Sequence, residues 1–381
     1  MYDFDKGVDR LHTNCHKWDH LKDEFGFDDM IAVSVADMDF AAPETVSKAI
    51  CERAMHGAFG YTYTTKEDTD AVINWMKRRH ATDIQADWIL SSPGVVDSMR
   101  VAVAAYTKPG DKVACFTPVY PPFYGSIEAA ACVTRSVPLL HDESGWKPDF
   151  DELEKAFKEG AAMLLMCSPH NPVGRIWTKD ELTQIAAIAK KYNKPIVCDE
   201  IHGDLEMPGY KQTCMLNIDP SATVFISATK TFNLAALRHS SVLIADPDRR
   251  KLFSQEYNKR GIDGINLFGA LAQKVAYQTG DEWLDSLMQY LDGNRQTAED
   301  FFRAELPDIG FSRVEGTYLM WLDMRSRFKT AEELMDCMHK KARIDPVDGK
   351  IFGGEGFLRL NLATPRKNIV TALERIKNAL N

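Results

Sequence analysis

AAMLLMCSPHNPVGRIWTKDELTQIAAIAKKYNKPIVCDE, residues 161–200, decides how the chain is read. The apolar run Ala161 to Cys167 is too short for a helix and ends in a turn built from Asn, Pro and Gly. Thr178 with Glu181 three positions on makes a capping box, which predicts a helix ending near Asn193. Pro195 marks the restart as strand, and that strand ends at Asp199. Strand, helix, strand in forty residues is the unit from which parallel sheets are built.

Outward from this unit the alternation continues over about residues 87 to 247. KVACF leads to PFYGSIEAAA, CVTRSVPLL to DFDELEKAFKEG, and TVFISA and SVLIAD follow. The expectation is an α/β fold with a mostly parallel sheet. Residues 266–303 carry apolar positions at three- and four-residue spacing and predict a long helical connector. After Pro307, GTYLMWLDM, TAEELMDCMHKKA, FLRLNLA and NIVTALERIKNAL read as strand, helix, strand, helix. The partition is therefore a large α/β domain over 46–285 and a small α+β domain of 1–45 with 286–381.

A length of 381 residues suits two packed units, and 45% hydrophobic with 27% charged residues excludes disordered and collagenous readings. A net charge of -9 with no basic block argues against nucleic acid. MYDFDKGVDR lacks the plan of a signal peptide and no run suits a membrane span, so the expectation is a cytoplasmic protein. The eight cysteines show no CxxC and read as reduced core thiols. His12, His16 and His20 beside Cys15 lack the second ligand pair of a zinc site, so no metal is expected. Trp75 and Trp88 read as packing residues on helical or loop surfaces.

In open α/β sheets ligands bind beyond the carboxyl ends of strands. Five such places carry chemistry. Ser227, Thr229, Lys230 and Arg238 follow TVFI; an amine, hydroxyls and a guanidinium suit an aldehyde cofactor bearing a phosphate, although a surface lysine in a polar loop is the plain alternative. Asp199 could pair with a pyridinium nitrogen, or be a helix cap or structural ion pair. Asn171 could donate to a phenolate oxygen, or simply build a turn. Tyr120, held by prolines, could stack on a planar ring, and Gly94 leads Val95 and Val96 into a helix whose N-terminus could hold phosphate.

Taken in order, glycine turn, aromatic loop, Asn, Asp and Lys make the chain resemble the fold type I pyridoxal-phosphate enzymes, the aspartate-aminotransferase-like group. Within it the sequence resembles the MalY/PatB-type cystathionine β-lyases, which are cysteine S-conjugate carbon-sulfur β-lyases. The matching segments are Lys17-Trp18-Asp19, Val35 to Phe40 (VADMDF), Phe59 to Thr62 (FGYT), Tyr120 to Phe123 and Ser168 to Arg175. Asp199 to His202 (DEIH), Thr229 to Ala235, Gly264 to Gly269 and Phe357 to Arg366 complete them, so the likeness covers nearly the whole chain.

The resemblance implies pyridoxal 5'-phosphate as cofactor, with Lys230 bonded to it, Asp199 facing the pyridine nitrogen, Asn171 the ring oxygen and Tyr120 the ring. Gly94, Val95, Val96, Ser227 and Thr229 would bind the phosphate, and His202 would stand close to the cofactor. Tyr61 would reach the phosphate of the other subunit, which makes a homodimer with shared active sites. Arg359 would clamp the α-carboxylate of an amino-acid substrate, with Asp37 and Tyr61 also on the substrate side. The implied reaction is β-elimination from L-cystathionine and related conjugates to thiol, pyruvate and ammonia, with Lys230 removing the Cα proton. Arg238 is a phosphate anchor associated more with aminotransferases and keeps a class I/II aminotransferase as the alternative. A regulatory protein with residual lyase activity is the third reading. Tyr61, Tyr63, Tyr120, Phe123 and Tyr124 suggest an aromatic pocket for sulfur substituents.

Overall fold

The apolar runs between residues 89 and 244 form one seven-stranded sheet. In this computed structural model, which describes residues 2–142, 145–262 and 265–381, the strand order is Ile89–Ser92, Ser240–Ile244, Thr223–Ile226, Ile196–Asp199, Ala161–Cys167, Lys112–Thr117, Val133–Pro138. Gly264, at the head of one matching segment, lies outside the described residues. Ser240–Ile244 runs antiparallel to both neighbours and the remaining pairs are parallel, so the sheet is mostly parallel as expected.

Alternation along each strand sorts side chains between two cores. Val113, Cys115, Leu165, Val197 and Phe225 pack under the helices Val95–Tyr106, Pro122–Ala129 and Pro247–Lys259. Ala114, Leu164, Met166, Ile196 and Val224 face the opposite layer, which includes Lys66–His80, Phe150–Lys158 and Lys179–Lys191. The period of two that sends Val197 to the first layer sends Asp199 there also, so its carboxylate is buried by strand geometry.

The capping box at Thr178 and Glu181 is present, and that helix closes at Lys191, with Asn193 at φ +51° making the exit. The single connector expected over 266–303 is instead two helices, Leu267–Thr279 and Asp281–Glu305. Gly280 separates them, and a Cβ there would lie 2.4 Å from the Phe232 ring and 2.5 Å from the Ala276 carbonyl oxygen. Only glycine allows that approach. CVTRSVPLL also divides: Val133–Pro138 joins the sheet, while Leu140–Asp142 pairs with Gly145–Lys147 as a hairpin. TAEELMDCMHKKA forms a helix over Ala331–Asp336 that widens into a π turn at Cys337–Ala342.

A second, antiparallel sheet holds Gly310–Phe311, Leu319–Asp323, Phe357–Asn361 and Val347–Asp348. Ile31–Ala32 pairs with Ile344–Asp345, which ties the N-terminal segment to this C-terminal part. Seven cysteines are buried, but Cys51 is exposed, a departure from the core-thiol expectation. Trp75 is also not a surface residue: it is buried, and its indole N–H donates to Asp204 (2.8 Å). No helix among the described residues is long and apolar enough to cross a membrane.

Candidate active site

Parallel strands end at one edge of a sheet, so the segments after Thr117, Cys167, Asp199 and Ile226 converge there. Between them lies a cavity of about 190 Å³ lined by Val95, Val96, Tyr120, Asn171, Asp199, His202 and Lys230, all singled out from the sequence. Ala36, Cys167 and Ile201 line it too, together with Phe123.

Lys230 sits in the short helical turn Ala228–Thr231 directly after the strand Thr223–Ile226. Ser227 caps that turn by accepting from the Thr229 N–H (3.1 Å), and its hydroxyl donates to the His239 carbonyl (2.6 Å). From below, Asp204 accepts from Thr231 Oγ1 (2.7 Å) and Trp75, and pairs with His80 (2.7 Å), which fixes the turn against the helix Lys66–His80. Lys230 Nζ donates to the Ala36 carbonyl (2.5 Å). Burial, then the Arg359 charge, lowers this amine to about 8, against the opposing pull of Asp37 and Asp199.

Asp199 is pushed up to about 7 by burial; the Ile201 N–H bond (2.9 Å) and the Lys230 charge act in the other direction. Its environment would favour a cationic partner in the cavity. Asn171 accepts from Arg359 Nη1 (3.2 Å) through Oδ1, so its NH₂ remains a donor. His202 is buried with Nδ1 unpartnered, and burial and nearby Lys230 and Arg359 hold it well below its ordinary value, hence neutral. Tyr120 is raised by burial.

Arg359, on the strand Phe357–Asn361, donates to Asn171 and to the Ser34 carbonyl (3.1 Å), and lies 4.8 Å over the Phe352 ring. Its Nε has no partner although buried. Burial lowers the guanidinium to about 10, where it is still a cation, so the unmet N–H is a donor suited to a carboxylate.

Not every expected residue lines the cavity. Gly94 caps the helix Val95–Tyr106 in an extended conformation, with Ser227 and Thr229 hydrogen-bonded to each other (2.8 Å). Arg238 is largely exposed and pairs with Asp97 (3.0 Å) on the first turn of that helix. The Asp37 carboxylate, expected toward substrate, is held on both oxygens by Arg10 (2.7 and 2.8 Å). Tyr61 is fully exposed on this chain. Sequence reasoning missed Ala36, Ser34 and Tyr318, which lie in or beside the VADMDF and GTYL segments; the long sequence separation of Ala36 from Lys230 and Tyr318, and of Ser34 from Arg359, hid the contacts.

A pyridine carrying phosphate, aldehyde and phenolate oxygen matches this donor set: the buried acid, the unpaired Asn171 amide, the amine, and the N–H groups of a helix start beside hydroxyls. Among the described residues no group of His, Cys, Asp and Glu is arranged to hold a metal ion.

The family model described as aminotransferase class I and II matches residues 28–376. The chain is 38% identical to cystathionine beta-lyase PatB of Bacillus subtilis, over 99% of each chain, and 31% identical to protein MalY of Escherichia coli, over 100% and 99%. The solved structure of cystalysin from Treponema denticola, which contains a pyridoxal 5'-phosphate cofactor, superposes with a TM-score of 0.96 at 37% identity, covering 100% of this chain and 99% of that one.

Proposed function

The chain belongs to the aminotransferase class I and II family, and on that premise we propose that it is a pyridoxal-phosphate-dependent carbon-sulfur β-lyase acting on L-cystathionine and related cysteine S-conjugates. The observation that carries the reading is one cavity joining a near-neutral lysine amine to a buried carboxylate, with an unmet arginine N–H beside it.

Pyridoxal phosphate, when bound, supplies the electron sink that makes the substrate Cα proton acidic. Lys230 would hold the cofactor, and its neutral amine would then take the Cα proton and carry it to the departing sulfur. Asp199 would hold the proton on the pyridine nitrogen, since a carboxylate in this site gains from a cationic neighbour. Asn171 and neutral His202 would face the ring oxygen, and Tyr120 the ring. Gly94, Val95, Val96, Ser227, Thr229 and Arg238 would bind the phosphate. Arg359 would grip the α-carboxylate through Nε and one remaining N–H, which orients Cα–H toward Lys230. Water and the released enamine acid give pyruvate and ammonia, so atoms balance as thioether plus water to thiol, pyruvate and ammonia.

A homodimer is part of the same reading. Met55, Phe59, Tyr61 and Tyr63 stand exposed on one short stretch of this chain, which supports a second copy covering them and receiving Tyr61 at its phosphate. The two sheets support a large unit over 46–285 and a small one of 1–45 with 286–381. The eight free cysteines support cytoplasmic residence.

The test is product identity. Purified protein with pyridoxal phosphate and L-cystathionine should release thiol and pyruvate in equal amounts. A keto acid retaining the intact side chain, with no free thiol, would instead establish the aminotransferase, the reading that Arg238 beside the helix start keeps in view. No turnover of either kind in cofactor-saturated protein would leave the regulatory reading.

A further inference from the structure

The segment Val35 to Phe40 is gripped by two asparagines, one two residues after Arg359 and the other three residues after Lys230. Asn361 lies two residues after Arg359 on one strand, hence on the same face. Its Nδ2 donates to the carbonyls of Val35 (2.5 Å) and Asp37 (2.6 Å), and its Oδ1 accepts from the Ala363 N–H (2.7 Å). Asn233 lies three residues after Lys230 at φ +58°, a conformation asparagine tolerates. It accepts from the Met38 N–H (3.0 Å) and donates to the carbonyls of Met38 (2.9 Å) and Phe40 (2.8 Å).

These bonds leave the carbonyl between them with one direction open. The Asp37 N–H closes a three-residue turn on the Val35 carbonyl (2.8 Å), centred on Ala36. With the carbonyls of 35 and 37 both turned to Asn361, that of Ala36 faces away, toward the cavity. There it accepts from Lys230 Nζ (2.5 Å) and from the hydroxyl of Tyr318 (2.9 Å). Both asparagine side chains are spent on backbone of this segment and its neighbours, and Asn361 is wholly buried.

We propose that Asn361 and Asn233 are positioning residues for Lys230: they hold the turn at Ala36 so that its carbonyl is the docking point for the lysine amine. This rests on the reading of Lys230 as the reactive amine and adds what orients it. The carbonyl stabilises the protonated amine, and a docked amine keeps its nitrogen at one place over the cavity while it is free of other bonds. The other groups facing Lys230 are Asp199 and His202 from the strand end, Asp37 from the segment itself, and Arg359 and Tyr318 from the second sheet. An Asn361 substitution removes none of these groups, and it touches one of them directly, Asp37, through its backbone carbonyl.

The test reads the amine itself. In full-length protein stripped of cofactor, Lys230 is labelled with acetic anhydride across roughly pH 6 to 10 and the labelled peptide is quantified by mass spectrometry. Wild type should reach half-labelling at about 8. Asn361→Ala, by freeing the carbonyl to turn away, should move the midpoint down by about one unit, a ~10-fold fall in the protonation constant. Tyr318→Phe removes only the competing donor, so its midpoint should stay or rise. An unchanged midpoint in folded Asn361→Ala, or an equal downward shift in Tyr318→Phe, would overturn the proposal. If Asn361→Ala does not fold, Asn233→Ser loosens the other end of the segment and should shift the midpoint the same way; no shift there would overturn it too. Because no turnover is read, a failed lyase assay leaves this result intact.

Discussion

Burial moves Asp199 up to about 7 and Lys230 down to about 8, against the attraction of each for the other's charge, so both titrate near neutral pH. For Asp199 the folded value lies above the unfolded one, so its contribution to the cofactor-free chain is complete below about pH 4 and is lost as pH rises through about 7. Asp199→Asn keeps an acceptor for the Ile201 N–H and removes the buried charge. It should therefore raise the melting temperature of cofactor-free protein by roughly 2 °C or more at pH 8 and not at pH 4, measured by calorimetry. The same substitution should lower turnover by ~10² or more, because it removes the carboxylate proposed to face the ring nitrogen. Arg359→Lys keeps a cation but loses the planar fork that spans Asn171 and Ser34. Its KM for the amino acid should rise ~10- to 100-fold in steady-state assays, with a smaller effect on kcat. Asp199 was legible because it ends an apolar run, and Asn171 and Lys230 because each follows one by four residues, where the chain offers side chains to the sheet edge. Asp37 was legible only as part of a motif, and its carboxylate proves to be paired with Arg10. A side chain's partner 27 residues away leaves no local signal.

Elements were readable wherever the chain itself holds their start or stop. Thr178 and Glu181 bond each other's backbone groups inside one turn, so that helix start follows from four residues. The break at Gly280 was not readable, since the apolar spacing runs through it, and what requires glycine is the Phe232 ring pressed against the helix junction. Gly280→Ala would place a methyl group within that contact and should cost about 1–3 kcal/mol of stability in denaturant titration. Phe232 lies two residues beyond Lys230, so the same variant should also bind pyridoxal phosphate more weakly. The π turn at Cys337–Ala342 was likewise hidden, because it keeps helical spacing while carrying one extra residue.

At the scale of the whole molecule, the stretch from Met55 to Tyr63 exposes four large apolar side chains, Met55, Phe59, Tyr61 and Tyr63, within nine residues. Phe59 touches Phe268, with ring centroids 5.9 Å apart, so the apolar area extends onto the start of the helix Leu267–Thr279. On the proposed homodimer, Phe59→Asp should shift the solution mass measured by light scattering from two copies toward one, and should lower activity in the same concentration range. The sequence by itself determined the α/β class, the strand–helix–strand alternation of 161–200, the residues at the strand ends and the family they resemble. Those are written in periodicity, caps and short motifs, each complete within a few tens of residues. Only the tertiary structure decided which of those residues meet. It set Arg359 beside Asn171, turned the Ala36 carbonyl onto Lys230 and buried Asp199 within reach of the Lys230 charge. Such contacts join residues up to hundreds of positions apart, and their geometry comes from the packing of two sheets and the N-terminal segment, which no local pattern encodes.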